Sequence, residues 1–146
     1  MKFDIIPHIG ASGINFGMDR HQVRQATNSP FDIFRRDESQ SLSEHYYMIG
    51  IFAYYDERGY LEALEFSRPA EPIFAGIDLL ALDVLQARAM FSAAGPILDD
   101  VDGPMSETLG IGVWAPDAKD DPMAEVEAAI AFSPKYYEKY PKEPLG

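Results

Sequence analysis

Gly17-Met18-Asp19-Arg20-His21-Gln22-Val23 reads as a complete helix entry, and the rest of the chain is organised around it. Asp19 is a good N-cap, Gln22 three residues on completes a capping-box pair, and Met18 can staple onto Val23 across the cap. Gly76-Ile77-Asp78-Leu79-Leu80-Ala81-Leu82 repeats the cap and the staple without the Gln. The chain therefore reads as one unit written twice.

Outward from these entries, Phe3 to Ile6 suits a short strand closed by Pro7, and the first helix runs from about Arg20 to Ala26, stopped by Asn28-Ser29-Pro30. Phe31 to Phe34 alternates as a strand, with Phe31 and Ile33 on one face. Arg35 to Glu44 is polar and reads as a solvated loop. Tyr46 to Tyr55, Asp56-Glu57-Arg58-Gly59 and Tyr60 to Phe66 form the strongest β signal, strand, turn and returning strand. In the second unit a helix is expected from about Leu79 to Ser92, because Leu80, Val84, Ala87 and Phe91 share one face. Ile97-Leu98 begins a strand, Asp99 to Glu107 an acidic loop, Leu109 to Trp114 a strand, and Val126 to Phe132 its partner. The tail from Ser133 carries Pro134, Pro141 and Pro144 and reads as irregular.

The strands behind the two helices also match. Ile49-Gly50-Ile51-Phe52-Ala53-Tyr54 lines up with Leu109-Gly110-Ile111-Gly112-Val113-Trp114, and Ala63 to Ser67 with Ala129 to Ser133. The predicted fold class is α+β: a single domain over 1–146 of two tandem helix-then-antiparallel-strand repeats, 14–67 and 73–133, with a tail at 134–146. Helices are expected on one face of the sheet. The helix entry followed by an antiparallel meander resembles the tandem fold of β-lactamase inhibitory protein and the related small outer-membrane assembly lipoproteins. That resemblance implies a protein-binding module whose open sheet face receives a partner.

Composition narrows the function further. The 146 residues are 47% hydrophobic and 12% aromatic, as in globular chains, with a formal charge of −12. The acidic excess falls more heavily on residues 68–146 than on residues 1–67. Nucleic acid and anionic membrane are thereby disfavoured as partners, and a basic protein is favoured. With no cysteine, disulfides, thiol catalysis and thiolate metal sites are excluded. Neither a signal peptide nor an apolar run of about 20 residues is present, so the expected location is cytoplasmic.

On strand parity, Ile49, Ile51, Leu109, Ile111 and Val113 suit the helix-facing side, leaving Tyr46, Met48, Phe52, Tyr54 and Trp114 on the open face. Exposed aromatic patches mark interaction sites, so Tyr46, Phe52, Tyr54 and Trp114 are the expected partner contacts, with Asp99, Asp100 and Asp102 as rim charges. Asp99 to Asp121 lacks the spacing of a calcium loop, and His8, His21 and His45 lack metal-ligand spacing. No nucleophile elbow or phosphate loop occurs, and Glu62 and Glu65, three apart on a strand, do not form an acid–base pair. No catalytic, cofactor or metal residue is assigned. The expected function is non-enzymatic: binding and neutralising a protein partner, in the manner of a bacterial immunity or inhibitor protein. The alternatives are a small-molecule or enzymatic role in a cleft between the repeats, and a homodimer through the aromatic face.

Overall fold

The computed structural model describes residues 1–35, 41–100 and 102–139, and it corrects the fold class. The described chain is mostly β, with 13 strands, three short α-helices and one 3-10 turn, arranged as two sheets and not as tandem helix-then-strand repeats. The elements are β1 (Lys2–Ile6), β2 (Gly10–Ala11), β3 (Ile14–Asn15), α1 (Arg20–Thr27), β4 (Asp32–Arg35), β5 (Leu42–Tyr46), β6 (Ile51–Tyr55) and β7 (Leu61–Phe66). Then follow β8 (Glu71–Phe74), β9 (Ile77–Asp78), the 3-10 turn Leu79–Ala81, α2 (Val84–Ala94), β10 (Leu98–Asp100), β11 (Gly103–Ser106), β12 (Ile111–Trp114), β13 (Ala128–Phe132) and α3 (Pro134–Lys139).

The main sheet has eight antiparallel strands in the order β10-β11-β12-β13-β7-β6-β5-β4. It is two four-stranded meanders joined edge to edge by β7 and β13, where Phe66 faces Ala129, Glu65 faces Ile130 and Leu64 faces Ala131. The smaller sheet, β3-β2-β1-β8-β9, contains one parallel pair, β1 with β8. It covers the inner face of the main sheet together with α1 and α2. One core joins Phe3, Ile5 and Ile14 from the small sheet, Val23 and Phe91 from the helices, and Ile51, Leu64, Phe66 and Ile111 from the large one. Each such fully buried side chain contributes about 1.5–3 kcal/mol.

Two local features explain why the short strands were not legible. Tyr46 to Tyr55 is broken by the turn at residues 47–50, closed by Gly50 at φ +74° with its N–H on the Tyr46 carbonyl at 3.0 Å. A Cβ on Gly50 would sit 2.1 Å from the Ser67 carbonyl, so the β5–β6 connection needs glycine. Gly110, at φ +66°, closes the β11–β12 turn in the same way, and so lies outside the strand expected from Leu109. The supposed loops Arg35 to Glu44 and Asp99 to Glu107 supply β5 and the β10–β11 hairpin, except residues 36–40 and 101, which lie outside the described residues.

The helix entries are partly as expected. Asp19 caps α1 and forms a reciprocal capping box with Gln22, at 2.9 and 3.0 Å. Asp78, however, caps only the 3-10 turn, its carboxylate accepting the Leu80 N–H at 3.0 Å. The second α-helix starts five residues later, where Asp83 and Gln86 make their own capping box. Leu80, Val84, Ala87 and Phe91 are all buried, as the stripe requires, although Leu80 precedes the helix. The tail corrects another expectation: residues 134–139 form α3, which lies on the outer face of the main sheet, with the Tyr136 ring 5.9 Å from that of Phe132. Helices therefore occupy both faces, and residues 140–146 lie outside the described residues.

Candidate functional site

Cross-strand pairing places one residue from each strand of the main sheet in a row on its outer face: Leu98, Met105, Gly112, Ile130, Glu65, Phe52, His45 and Asp32. Gly112 has no side chain to fill its place in that row. An added Cβ would lie 3.3 Å from Ile130 Cγ2 and 3.4 Å from Met105 Cε. Beside it, Trp114 pairs with the small Ala128. The result is a cavity of about 390 Å³ over β10–β13, floored by Met105, Gly112, Ile130 and Ala128, with Trp114, Glu65, Asp99 and Asp102 also lining it. Trp114 is 48% exposed, and it is the single tryptophan of the chain.

Backbone geometry holds the rim. The Asp102 carbonyl accepts the Ala115 N–H at 2.7 Å, which ties the β10–β11 turn to the strand end that carries Trp114. Glu65 Oε1 accepts the Tyr54 hydroxyl at 2.9 Å. Asp99 receives Nε and Nη2 of Arg88 from α2 at 2.7 and 3.0 Å, a bidentate pair. Asp102 is exposed, and the side chain of Asp100 lies outside the described residues.

The expected contact residues are thus dispersed. Trp114, Asp99 and Asp102 meet at the cavity. Phe52 is half-buried farther along the same row, its ring stacked on His45 at 4.0 Å. Tyr54 is on the outer face but only 6% exposed, packed with Phe34, Phe132 and Tyr136 under α3. Tyr46 lies on the opposite face, fully buried, because the 47–50 turn makes it the partner of Ile51 and breaks the parity assumed for one continuous strand.

Tyr46 instead belongs to a buried polar cluster beneath α1. Glu44 Oε1 accepts the hydroxyls of Tyr46 at 3.0 Å and Tyr55 at 2.6 Å, while Oε2 accepts Arg24 Nε at 2.7 Å. Burial and then the Glu44 charge push the Tyr46 hydroxyl up to about 12, and burial with the Glu44 hydrogen bond raises Tyr55 as well. Both hydroxyls stay protonated donors at neutral pH, and the cluster anchors α1 to the sheet.

A second cavity, of about 380 Å³, lies between Phe16, Asp56, Tyr60, Glu62 and Lys135. Burial opposes ionisation of Asp56, but the N–H groups of Tyr60 and Arg58 and the Lys135 ammonium outweigh it and hold the carboxyl below its usual value. Glu62 lies at a bulge between β6 and β7 and lines this cavity, while Glu65 lines the first. The two carboxylates do not converge. Among the described residues no group of three or more His, Cys, Asp or Glu is placed to hold a metal ion.

No family model, curated protein or solved structure matches the chain. The geometry of the outer face is therefore what speaks to function. Among the described residues no helix is long and apolar enough to cross a membrane. Sequence reasoning missed Glu65, Met105, Gly112, Ala128 and Ile130 as neighbours of Trp114. Only the register of four separate strands brings them together.

Proposed function

We propose that this chain is a non-enzymatic acidic binding module that engages a basic protein partner through the outer face of its eight-stranded sheet, as an immunity or inhibitor protein does. One observation carries the reading: a half-exposed tryptophan stands in the wall of an apolar cavity bordered by carboxylates, on a chain of net charge −12. Tryptophan is enriched at binding hot spots, and an acidic surface speeds encounter with a basic partner. The role agrees with the one implied by the resemblance to β-lactamase inhibitory protein, although the two-sheet architecture departs from that pattern and the proposal stands without it. The proposed compartment is the cytoplasm.

The test is affinity capture from the source cell followed by measured binding of the captured protein. A stoichiometric basic partner is expected, with association that slows as salt rises and weakens by about 2 kcal/mol on Trp114→Ala. A partner whose binding ignores both salt and Trp114→Ala overturns the reading, as does recovery of none. The second reading, a small-molecule site, is favoured by the cavity volume, which falls within the usual range of roughly 300–1,000 Å³.

A further inference from the structure

We infer that the Trp114 cavity is a receptor for a single arginine side chain presented by a basic partner; this rests on the binding-module reading and names the group that the module recognises. The cavity supplies what each part of an arginine requires. Its floor of Met105, Ile130 and Ala128 is apolar and suits the aliphatic stem, which long cationic side chains lay along apolar surface. Trp114 stands in its wall with 48% of its surface open, and an indole is the aromatic group on which a guanidinium stacks best. Glu65 and Asp102 are the acidic residues of the lining that carry no salt bridge among the described residues, and a carboxylate that already accepts one donor, as Glu65 does from Tyr54, has room for more.

The rim shows the chemistry within the chain itself. Arg88 approaches Asp99 through two guanidinium nitrogens at 2.7 and 3.0 Å, so one rim carboxylate is already used in a planar fork. Because the Arg88 charge offsets that of Asp99, Glu65 and Asp102 are the carboxylates whose charge remains to balance an incoming cation. Arginine is favoured over lysine because its planar head both stacks on indole and forks to a carboxylate, whereas an ammonium is a compact, strongly hydrated point charge. The absent side chain at Gly112 provides the depth. Any larger residue there would crowd Ile130 and Met105 and raise the floor.

Because Trp114 is the single tryptophan, its emission reports on this cavity alone. The probe is arginine amide, with its neutral isostere citrulline amide as control. Arginine amide is expected to give a saturable change in tryptophan emission that citrulline amide does not. Glu65→Gln and Asp102→Asn should each weaken it by roughly two- to fivefold, and Gly112→Val should abolish it. Circular dichroism of each variant confirms that it is folded, and Glu65→Gln retains an acceptor for Tyr54. Equal binding of both amides, or no response to either, overturns the inference, as does binding indifferent to Glu65→Gln and Asp102→Asn together. Failure here is separable from failure of the binding module. A captured partner unaffected by Glu65→Gln and Asp102→Asn but weakened elsewhere on the sheet face overturns the arginine receptor only. Arginine amide binding without any protein partner overturns the module reading and leaves the cavity a receptor for the guanidinium group alone.

Discussion

Tyr46→Phe should make this protein less stable near neutral pH and more stable in strong alkali. Tyr46 is fully buried, and its hydroxyl donates to Glu44 Oε1 at 3.0 Å. Removing the hydroxyl deletes one donor to a buried carboxylate that keeps Tyr55 and Arg24, so the cost at pH 8 is about 1 kcal/mol. Alkali acts in the other direction. The folded-state value of Tyr46 is raised from 10.0 to about 12, so the stability it carries is fully present below pH 10 and is lost as pH climbs to about 12. At about 1.4 kcal/mol per pH unit this loss reaches about 3 kcal/mol in the parent protein, and Tyr46→Phe is spared it. Tyr55, raised in the same direction, adds to the alkaline loss in both proteins. Urea midpoints measured by circular dichroism from pH 8 to pH 12 should therefore cross near pH ~11, where the two effects are equal. Parallel stability curves, or a variant that loses ground with alkali as fast as the parent, would refute the argument that the buried cluster holds Tyr46 protonated.

Three further expectations concern other parts of the fold. Asp56 titrates below its ordinary value, so its contribution is present above pH ~4 and lost as pH falls through the folded value; acid unfolding of Asp56→Asn should show a smaller dependence on pH in that range. Asp19→Ala and Asp83→Ala should each cost about 0.5–2 kcal/mol in urea unfolding and leave arginine amide binding unchanged, since both carboxylates cap helices. Gly50→Ala should cost clearly more than either, because φ is +74° and the new Cβ would meet the Ser67 carbonyl at 2.1 Å; a midpoint within error of the parent would show that the β5–β6 turn can relax.

Local features were legible in the sequence, although the fold class was not. The Asp19–Gln22 box, the stop at Asn28, the Asp56–Gly59 turn and the apolar stripe through Phe91 each depend on residues within a turn or two of one another. Asp83–Gln86 carries the same signature as Asp19–Gln22, but the Gly76-Ile77-Asp78 stretch upstream mimics a helix entry and caps only a 3-10 turn. Glycine misled again at Gly50 and Gly110. Between apolar residues a glycine reads as part of a strand, and only its positive φ, set by the neighbouring strand it approaches, marks it as the end of a turn.

By itself the sequence determined the charge, the absence of thiol chemistry, the cap of the first helix and the presence of alternating strands. Tertiary structure alone decided which strands pair, and that decided the site. Alternation says that two residues of a strand share a face, but not which face, nor which residues of other strands stand beside them. The turn at residues 47–50 sends Tyr46 into the core, α3 covers Tyr54, and pairing of β11, β12, β13 and β7 gathers Met105, Gly112, Ile130 and Glu65 beside Trp114. These contacts join positions far apart in the chain and are fixed by hydrogen-bond register and packing, which no local pattern of residues encodes.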